Sequence, residues 1–395
     1  MYSEKMHQLG TNRSVIRDLF EYGNQRKAEI GPDKVFDFSI GNPSVPAPQV
    51  VTDTLCQMVK ESDPMSLHSY TSAQGDAATR QAIADYVNGQ HGTDLTGDNF
   101  YMTCGAAASL TISLKALYEE GDEFIVFSPF FPEYRVFIEG VGGKLVQVDS
   151  RREDFQIDPA TFEAAITDKT KAVIVNSPNN PSGVVLTEDC IKSLCAVLEK
   201  KQKEYGKEIF LIADEPYREL VYGDVKVPYL MNYYDNTLVC YSYSKSLSLP
   251  GDRIGYIAVS NKAKDWKDLY AAICGAGRVL GYVCAPSLFQ KLIGKCQGQT
   301  ADISIYKKNR DILYEALTSY GFRCIAPDGA FYLFMETPEE DATAFGEKAK
   351  KHELLLVPAD SFGTPGFVRI SYCVSTEQIQ NSLPAFKALA QEYGL

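Results

Sequence analysis

Short runs of apolar residues recur through the middle of this chain, and stretches with helical character separate several of them. The expected strands are the segments 123–127, 144–148, 172–176, 209–213, 238–243 and 254–259. The expected intervening helices are the segments 106–118, 159–166 and 188–205. Strands that are apolar throughout are buried on both faces, and helices supply the crossovers of a parallel sheet. The pattern predicts an α/β fold with a mainly parallel sheet flanked by helices.

The last two strands of this series cannot both run parallel to the rest. The segment 254–259 follows the segment 238–243 directly. A parallel connection needs about a dozen residues or more, usually as a helix. We therefore expect one of these two strands to be antiparallel.

The character of the chain changes beyond about residue 290. The expected elements there are one long helix over 287–320, short strands at 330–335 and 367–372, and a helix from Thr376 onward. The first forty or so residues have too few apolar positions to fold alone. A chain of 395 residues is also long for one core. We predict a large domain over 46–290 and a smaller α+β domain made of 1–45 and 291–395.

Composition excludes several classes of function. The chain has 39 Lys and Arg against 51 Asp and Glu, a net charge of −12, and no basic run of the kind that binds nucleic acid. Its apolar runs are far shorter than the roughly 20 residues needed to cross a bilayer, so no membrane association is expected. The N-terminal residues lack the apolar core of a secretory signal. We expect a soluble, cytoplasmic protein.

Cysteine and histidine spacing does not indicate a metal site. The ten cysteines are scattered without a CxxC pair, and the four histidines have no ligand spacing. Free thiols and no bound metal are the expectation.

A lysine with phosphate-binding neighbours follows the expected strand 238–243. Ser242 and Ser244 lie on either side of the strand's end, next to Lys245. Arg253 lies eight residues further on. Ligands of open α/β sheets bind at the carboxyl ends of strands, and hydroxyls with arginine bind phosphate. A lone lysine is usually a solvated charge, but a lysine beside a phosphate site suits a cofactor that bonds covalently to an amine.

Polar side chains also follow two neighbouring expected strands. Asp214 comes directly after 209–213, and Tyr217 lies three residues on. An aspartate there can simply cap a helix, or it can pair with the ring nitrogen of a pyridine cofactor and keep that ring electron-accepting. Asn180 follows 172–176 within a run of turn residues, and its amide is a candidate donor, like the Tyr217 hydroxyl, to the cofactor's ring oxygen.

Two further segments are weaker signals of the same site. Gly105, Ala106 and Ala107 open a helix with small side chains, and helix N-termini bind phosphate through free backbone N–H groups. Phe131 follows another strand and could either pack in the core or stack on a flat ring.

In this order, the segments resemble those of the class I/II aminotransferases, the fold-type-I pyridoxal 5′-phosphate (PLP) enzymes of the aspartate aminotransferase superfamily. The resemblance spans nearly the whole chain, and the ordered set is far more specific than any one motif. The residues and segments that carry it are Gly41-Asn42-Pro43, Tyr70, Gly75, Gly105-Ala106-Ala107, Asn180-Pro181-Ser182-Gly183, 214–217, 242–245, Arg253 and Arg369.

The resemblance implies a fold and an activity. The fold is a mainly parallel seven-stranded sheet in a large domain, with a smaller α+β domain. The activity is a PLP-dependent exchange of an amino group between an L-amino acid and a 2-oxo acid, with 2-oxoglutarate as the expected acceptor. A homodimer is also implied, in which Tyr70 reaches the cofactor phosphate of the other subunit.

Roles for individual residues follow from the same resemblance. Lys245 bonds to PLP and moves the substrate proton, and Asp214 pairs with the pyridine nitrogen. Tyr217 bonds the ring oxygen together with Asn180, and Phe131 stacks on the ring. The expected phosphate ligands are Tyr70, Gly105, Ala106, Ala107, Ser242, Ser244 and Arg253. The expected substrate contacts are Gly41, Asn180 and Arg369, with Arg369 gripping the α-carboxylate.

Alternatives remain open at this stage. The same residues would support a PLP-dependent β-elimination, a carbon–sulfur lyase reaction, and a regulatory protein that keeps the fold without turnover is a third reading. Ala107 lacks the polar side chain that often stands at this position, including the lysine of some aspartate-using relatives. Arg278 is a candidate for a substrate's distal carboxylate, although a loop arginine more often faces solvent. The sequence leaves the amino donor undetermined.

Overall fold

Two sheets and one two-stranded ladder organise the protein in the computed structural model, which describes residues 2–11 and 14–395. The strands, numbered along the chain, are β1 (Phe36–Asp37), β2 (Phe100–Thr103), β3 (Glu123–Ser128), β4 (Lys144–Asp149), β5 (Thr170–Asn176), β6 (Phe210–Asp214), β7 (Thr237–Ser242), β8 (Gly255–Val259), β9 (Tyr332–Glu336), β10 (Leu354–Leu355), β11 (Val357–Pro358) and β12 (Phe367–Ser371).

Seven strands form the central sheet, in the order β2-β8-β7-β6-β5-β3-β4. Strands β3 to β7 are parallel to their neighbours in this group, whereas β8 runs antiparallel to both β7 and β2. The predicted mainly parallel sheet with one antiparallel strand is therefore confirmed. Strand β2 was not predicted, because it is only four residues long and lies outside the alternating series of strands and helices.

Helices surround these strands. They are α1 (Glu4–Thr11), α2 (Val15–Ile30), α3 (Gln49–Glu61), α4 (Pro64–His68), α5 (Ala77–His91), α6 (Ala106–Leu117), α7 (Glu133–Val141), α8 (Pro159–Ala165), α9 (Glu188–Tyr205), α10 (Tyr243–Ser246), α11 (Trp266–Val279), α12 (Ser287–Lys295), α13 (Ser304–Ser319), α14 (Ala342–Lys350) and α15 (Thr376–Glu392). Short 3-10 segments lie at Pro32–Lys34, Gly97–Asn99, Leu230–Asn232 and Asp360–Phe362.

The central sheet is buried on both faces, as its apolar strands require. On β5, Ala172 and Ile174 pack into one hydrophobic cluster, and Val173 and Val175 pack into another. Successive side chains of a strand point to opposite faces, so the two clusters lie on the two sides of the sheet. Helices α6, α7 and α11 contribute to the first cluster, and α5, α9 and α12 contribute to the second.

A smaller α+β unit lies beside the large sheet. Its three-stranded sheet has the order β11-β12-β9 and is antiparallel throughout. Strand β1 pairs in parallel with β10, and Arg26 of α2 lies 2.6 Å from Glu353. The N-terminal segment therefore packs on the C-terminal part of the chain. The limits 46–290 for the large domain, and 1–45 with 291–395 for the small one, stay predictions.

The single long helix expected over 287–320 is wrong. Helix α12 ends at Lys295, and α13 begins at Ser304. Gly298 between them has a φ of +78°, which is incompatible with a continuous right-handed helix. The Ala301 N–H in the same connection donates a hydrogen bond to the Ser246 carbonyl at 2.7 Å. The break therefore ties this connection to α10.

Among the helices of the described residues, none is long and apolar enough to cross a membrane.

Candidate active site

A cleft of about 410 Å³ opens at the carboxyl ends of the parallel strands. Ligands of open α/β sheets bind at this edge, where the strand ends converge. The cleft also receives residues from the smaller unit and from the N-terminal segment. The predicted site residues that line it are Gly41, Ala106, Ala107, Phe131, Asn180, Asp214, Tyr217, Ser242, Ser244, Lys245, Arg253 and Arg369.

Lys245 projects into the cleft from α10, the single helical turn that follows β7. Ser242 caps this turn by accepting a hydrogen bond from the Ser244 N–H at 3.1 Å. The Lys245 Nζ donates to the Gly41 carbonyl at 2.9 Å. Burial lowers the pKa of Lys245 to about 8, and the positive charges of Arg253 and Arg369 act in the same direction. About a tenth of this amine is therefore neutral at pH 7, far more than for an ordinary lysine.

A second group of residues beside Lys245, which we call the cradle (Ser242, Ser244 and Arg253), offers the hydroxyl and guanidinium donors that bind phosphate. The hydroxyl oxygens of Ser242 and Ser244 are 2.6 Å apart, and the Arg253 Nη1 donates to the Pro250 carbonyl at 2.8 Å. Gly105 has a φ of +86°, which residues with a side chain rarely adopt, and a Cβ atom there would also lie 2.8 Å from Nη2 of Arg253, so glycine is favoured at this position. The N-terminus of α6 adds backbone N–H groups on the same side of the cleft.

Asp214 ends β6 with its carboxylate almost fully buried. Its Oδ2 accepts a hydrogen bond from the Tyr134 hydroxyl at 2.5 Å, while Oδ1 is buried without a partner among the described residues. Burial raises the pKa of Asp214 to about 7, the Tyr134 hydrogen bond opposes this rise, and Glu215 adds to it. A buried carboxylate oxygen without a donor is costly, so a cationic N–H group in the cleft would be a favourable partner.

Arg369 on β12 approaches the cleft from the smaller unit. Its Nη2 donates to the Ser39 carbonyl at 2.5 Å and its Nη1 to Asn180 Oδ1 at 3.2 Å. Among the described residues, its Nε is buried without a partner, and this guanidinium forms no ion pair with an acidic side chain. A buried guanidinium held by neutral acceptors retains the ability to bind a carboxylate in its fork geometry.

Two tyrosines close the floor of the cleft between the two parts of the chain. The hydroxyls of Tyr217 and Tyr332 are 3.1 Å apart, and both side chains are buried. The Tyr332 ring also lies 4.7 Å from the guanidinium carbon of Arg369. A Cβ atom on Gly41 would lie 2.0 Å from the Tyr332 hydroxyl oxygen. Gly41 is therefore required for the close approach of Tyr332.

Comparison with known proteins decides the family. The family model described as aminotransferase class I and II matches residues 33–386. The chain belongs to this family. Two curated relatives are each 29% identical: a probable aspartate aminotransferase of Methanocaldococcus jannaschii, covering 95% of this chain and 96% of that protein, and an aspartate aminotransferase of Thermotoga maritima, covering 97% of both.

Solved structures agree with this membership. The crystal structure of an amino transferase from Eubacterium rectale is 58% identical and superposes with a TM-score of 0.99 over 100% of both chains. The aspartate aminotransferase of Thermotoga maritima is 26% identical, with a TM-score of 0.84 over 98% of this chain and 99% of that one. The protein is a PLP-dependent aminotransferase of fold type I that exchanges amino groups between amino acids and 2-oxo acids.

The residues of this aminotransferase fit PLP in three separate ways. The cradle of Ser242, Ser244 and Arg253 suits the phosphate. The unpaired Oδ1 of Asp214 suits a protonated ring nitrogen. Lys245 supplies an amine with a lowered pKa in the same cleft as Asp214. Each requirement is met by side chains that line one cleft.

Three residues considered from the sequence lie outside the cleft wall of a single chain of this aminotransferase. Tyr70 is 85% exposed and does not line the cleft of its own chain. Gly105 does not line the cleft but lies against Arg253, which does. Arg278 is exposed near the end of α11 and does not line the cleft either. A distal-carboxylate role for Arg278 therefore has no support within one chain.

Sequence reasoning did not single out three residues that line the cleft or contact its lining residues. Tyr134 bonds Asp214, Tyr332 contacts both Tyr217 and Arg369, and Arg17 lines the cleft from α2. Tyr134 lies three residues after Phe131, and this spacing was the available signal for a shared location. The other two are brought to the cleft only by the tertiary fold.

Proposed function

We propose that this aminotransferase takes its amino group from an L-amino acid and passes it to 2-oxoglutarate, with Lys245, Asp214 and Tyr217 as its catalytic residues. The observation that carries the proposal is the meeting of three groups in one cleft. These are the amine of Lys245, the unpaired carboxylate oxygen of Asp214 and the guanidinium of Arg369, which has no acidic partner among the described residues.

The cofactor would be held from several directions. Ser242, Ser244, Arg253 and the α6 N-terminus at Gly105, Ala106 and Ala107 would bind its phosphate, and Phe131 would cover one face of its ring. Tyr217 and Asn180 would bond the ring hydroxyl oxygen. Asp214 would accept a charge-assisted hydrogen bond from the protonated ring nitrogen. When bound, PLP withdraws electrons from the substrate α-carbon, which makes the α-proton removable.

Lys245 would move that proton. In its neutral form the Nζ atom accepts the proton from the substrate α-carbon and then delivers it to the cofactor side, as a general base and acid. A pKa of about 8 suits this role, because an amine near the working pH can both accept and release a proton. The Gly41 carbonyl, which accepts a hydrogen bond from Nζ at 2.9 Å, would hold the amine between these positions.

Arg369 would fix the substrate through its α-carboxylate. The guanidinium is already oriented by the Ser39 carbonyl and by Asn180 Oδ1, so little side-chain freedom is lost on binding. Gly41 and Asn180 line the same wall of the cleft. This arrangement would direct the bond to the α-proton toward Lys245.

The acceptor 2-oxoglutarate carries a second carboxylate, and Arg17 is the group we propose for it. Arg17 lines the cleft from the first turn of α2. The other cleft cations already donate to carbonyl or amide oxygens, whereas no hydrogen bond from the Arg17 guanidinium to a described residue is present. The curated relatives include proteins named aspartate aminotransferases, which also supports a dicarboxylic substrate.

We also propose that the protein acts as a homodimer in which Tyr70 completes the phosphate site of the partner subunit. Tyr70 is 85% exposed, although it is a large aromatic side chain. An exposed aromatic with no role in its own chain is typical of an interface residue.

The decisive test is a visible spectrum of the purified protein with PLP, followed by amino acids added one at a time. We expect a yellow absorption band that bleaches with the true donor and returns with 2-oxoglutarate. Release of pyruvate and ammonia from the amino acid, with the band retained in the absence of any 2-oxo acid, would identify a β-elimination instead. Lys245→Ala should abolish turnover, and turnover that survived this substitution would contradict the assigned role of Lys245.

A further inference from the structure

Tyr134 is a buried tyrosine that does not line the cleft itself but whose hydroxyl contacts a residue that does. It lies in the first turn of α7, directly after the loop that carries Phe131, and its side chain is 2% exposed. Its hydroxyl donates to Asp214 Oδ2 at 2.5 Å, across 80 positions of sequence. The two residues lie at the same edge of the central sheet, after β3 and at the end of β6, and β5 separates these two strands.

Among the described residues, Tyr134 is the one that donates a hydrogen bond to the Asp214 carboxylate. The other oxygen, Oδ1, is buried and unpaired, and Asp214 lines the cleft. A carboxylate has two oxygens in one plane, so a donor fixed on Oδ2 also fixes the direction of Oδ1. A hydrogen bond to the charged form also favours ionisation, whereas burial alone opposes it.

Tyr134 also packs against Phe131, the residue that would cover one face of the cofactor ring. Its ring lies 5.7 Å from that of Phe131, with the two planes at 88°. Edge-to-face contacts of this kind hold aromatic pairs in a preferred geometry. Tyr134 therefore contacts both Asp214, which would bind the edge of the cofactor ring, and Phe131, which would cover its face.

We propose that Tyr134 is a positioning residue that keeps Asp214 ionised, with Oδ1 directed at the cofactor's ring nitrogen, so that the ring nitrogen retains its proton. The proposal rests on the function proposed above for Asp214. Tyr134 itself touches neither cofactor nor substrate in this arrangement. Its own pKa is raised well above the usual value, by burial and by the Asp214 charge, so its hydroxyl stays a donor across the working pH range.

Loss of the hydroxyl has a predictable direction. Tyr134→Phe leaves a buried carboxylate with no donor from the described residues, which makes Asp214 more basic. Asp214 and the ring nitrogen would share one proton, so a more basic Asp214 takes that proton from the ring. The same loss should weaken PLP binding about tenfold, the size expected for one hydrogen bond to a charged group.

The test measures the ring nitrogen directly in the holoenzyme. PLP labelled with ¹⁵N at the ring nitrogen is bound to the wild type and to each variant, and its ¹⁵N chemical shift is recorded at one pH. We expect a protonated value in the wild type and a displacement toward the unprotonated value in Tyr134→Phe. Tyr234→Phe is the matched control, because Tyr234 is also buried and its hydroxyl donates to the Ile209 carbonyl at 2.6 Å, outside the cleft.

A second variant separates hydrogen bonding from packing. Tyr134→His removes the phenol but retains an N–H donor, so its displacement should be smaller than that of Tyr134→Phe. Equal displacement of the ¹⁵N shift in both variants would assign the effect to packing and overturn the proposal. A ¹⁵N shift in Tyr134→Phe equal to that of the wild type would also overturn it. If Tyr134→Phe does not fold and Tyr134→His does, the ¹⁵N shift of Tyr134→His decides. A value typical of a protonated ring nitrogen supports the proposal, and a value typical of an unprotonated one overturns it. No bound PLP, or an unprotonated ring nitrogen in the wild type, would contradict the proposed function of Asp214 as well.

Discussion

The amine of Lys245 lies 2.9 Å from the carbonyl oxygen of Gly41, a residue 204 positions earlier in the chain. Gly41 in turn has no free space, since a Cβ atom there would lie 2.0 Å from the hydroxyl oxygen of Tyr332. Tyr332 packs on Arg369 at 4.7 Å. The position of the proposed catalytic amine and that of the proposed carboxylate-binding guanidinium are therefore coupled through one glycine and one tyrosine.

This coupling predicts a large effect of Gly41→Ala. The added methyl group must displace either Tyr332 or the Gly41 backbone, and overpacking of this kind costs about 1–3 kcal/mol of stability. Because both Lys245 and Arg369 depend on these contacts, we expect kcat/KM to fall at least about tenfold in addition. Urea unfolding and steady-state kinetics measure the two effects.

Gly89→Ala is the matched control for this substitution. Gly89 lies in α5, and a Cβ atom there would meet nothing within 4 Å. Alanine at an open helical position should stabilise the protein by about 0.5–1 kcal/mol and leave kinetics unchanged. Wild-type kinetics in Gly41→Ala would show that Tyr332 can move without cost and would contradict the coupling.

The lowered pKa of Lys245 predicts how the protein without PLP reacts with added cofactor. Only the neutral amine is a nucleophile, and burial with two nearby arginines lowers its pKa to about 8. The rate of formation of the visible PLP band should rise about tenfold per pH unit below this value and level off above it. A rise that continued to the ordinary lysine pKa would show that the amine is not desolvated. Stopped-flow absorbance between pH 6 and 10 measures this profile.

The same pKa shift has a sign for stability. Between about pH 8 and the usual lysine value, the unfolded chain holds a proton on Lys245 that the folded chain has released. Stability therefore gains from Lys245 as the pH rises through this window. Lys245→Met removes this contribution. With both proteins free of PLP, the variant should have the larger free energy of unfolding at pH 7, and its advantage over the wild type should shrink as the pH rises to 10.

Much of the site could be predicted because parallel strands deliver their following residues to one edge. Asp214 ends the apolar strand β6 and Lys245 lies three residues after the apolar strand β7, so the topology alone brings them to the same edge of the sheet. Tyr134 and Tyr332 carry no comparable local signal. Their partners Asp214 and Tyr217 lie 80 and 115 positions away, and only the packed fold selects these tyrosines from the 24 in the chain.

The parts of the fold that were missed have local causes. Strand β2 is short and lies at the edge of the central sheet beside the antiparallel strand β8, outside the alternating pattern that indicated the other strands. The helix break at Gly298 was hidden because a glycine inside a helical pattern is often tolerated. Its left-handed backbone and the bond between Ala301 and Ser246 are tertiary features.

Arg17 and Arg278 give opposite predictions for acceptor choice. Arg17 lines the cleft of its own chain, whereas Arg278 does not. Arg17→Gln should raise KM for 2-oxoglutarate about fivefold, the range of a partly exposed ion pair, and leave KM for pyruvate unchanged because pyruvate lacks the second carboxylate. Arg278→Gln serves as the matched control. The reverse pattern would assign the distal carboxylate to Arg278, acting from outside the cleft of its own chain.

The proposed dimer predicts recovery of activity when two inactive variants are mixed. Tyr70→Ala would impair the partner's phosphate site, and Lys245→Ala would inactivate the site of its own chain. In a mixed dimer, the chain with Tyr70→Ala keeps its own Lys245 and receives the intact Tyr70 of the other chain, so one of the two sites is complete. After equal mixing with dissociation and reassociation, about a quarter of wild-type activity should return, since half of the dimers are mixed and each has one complete site. Activity no greater than that of the separate variants would show that Tyr70 serves its own chain or that the subunits do not share sites.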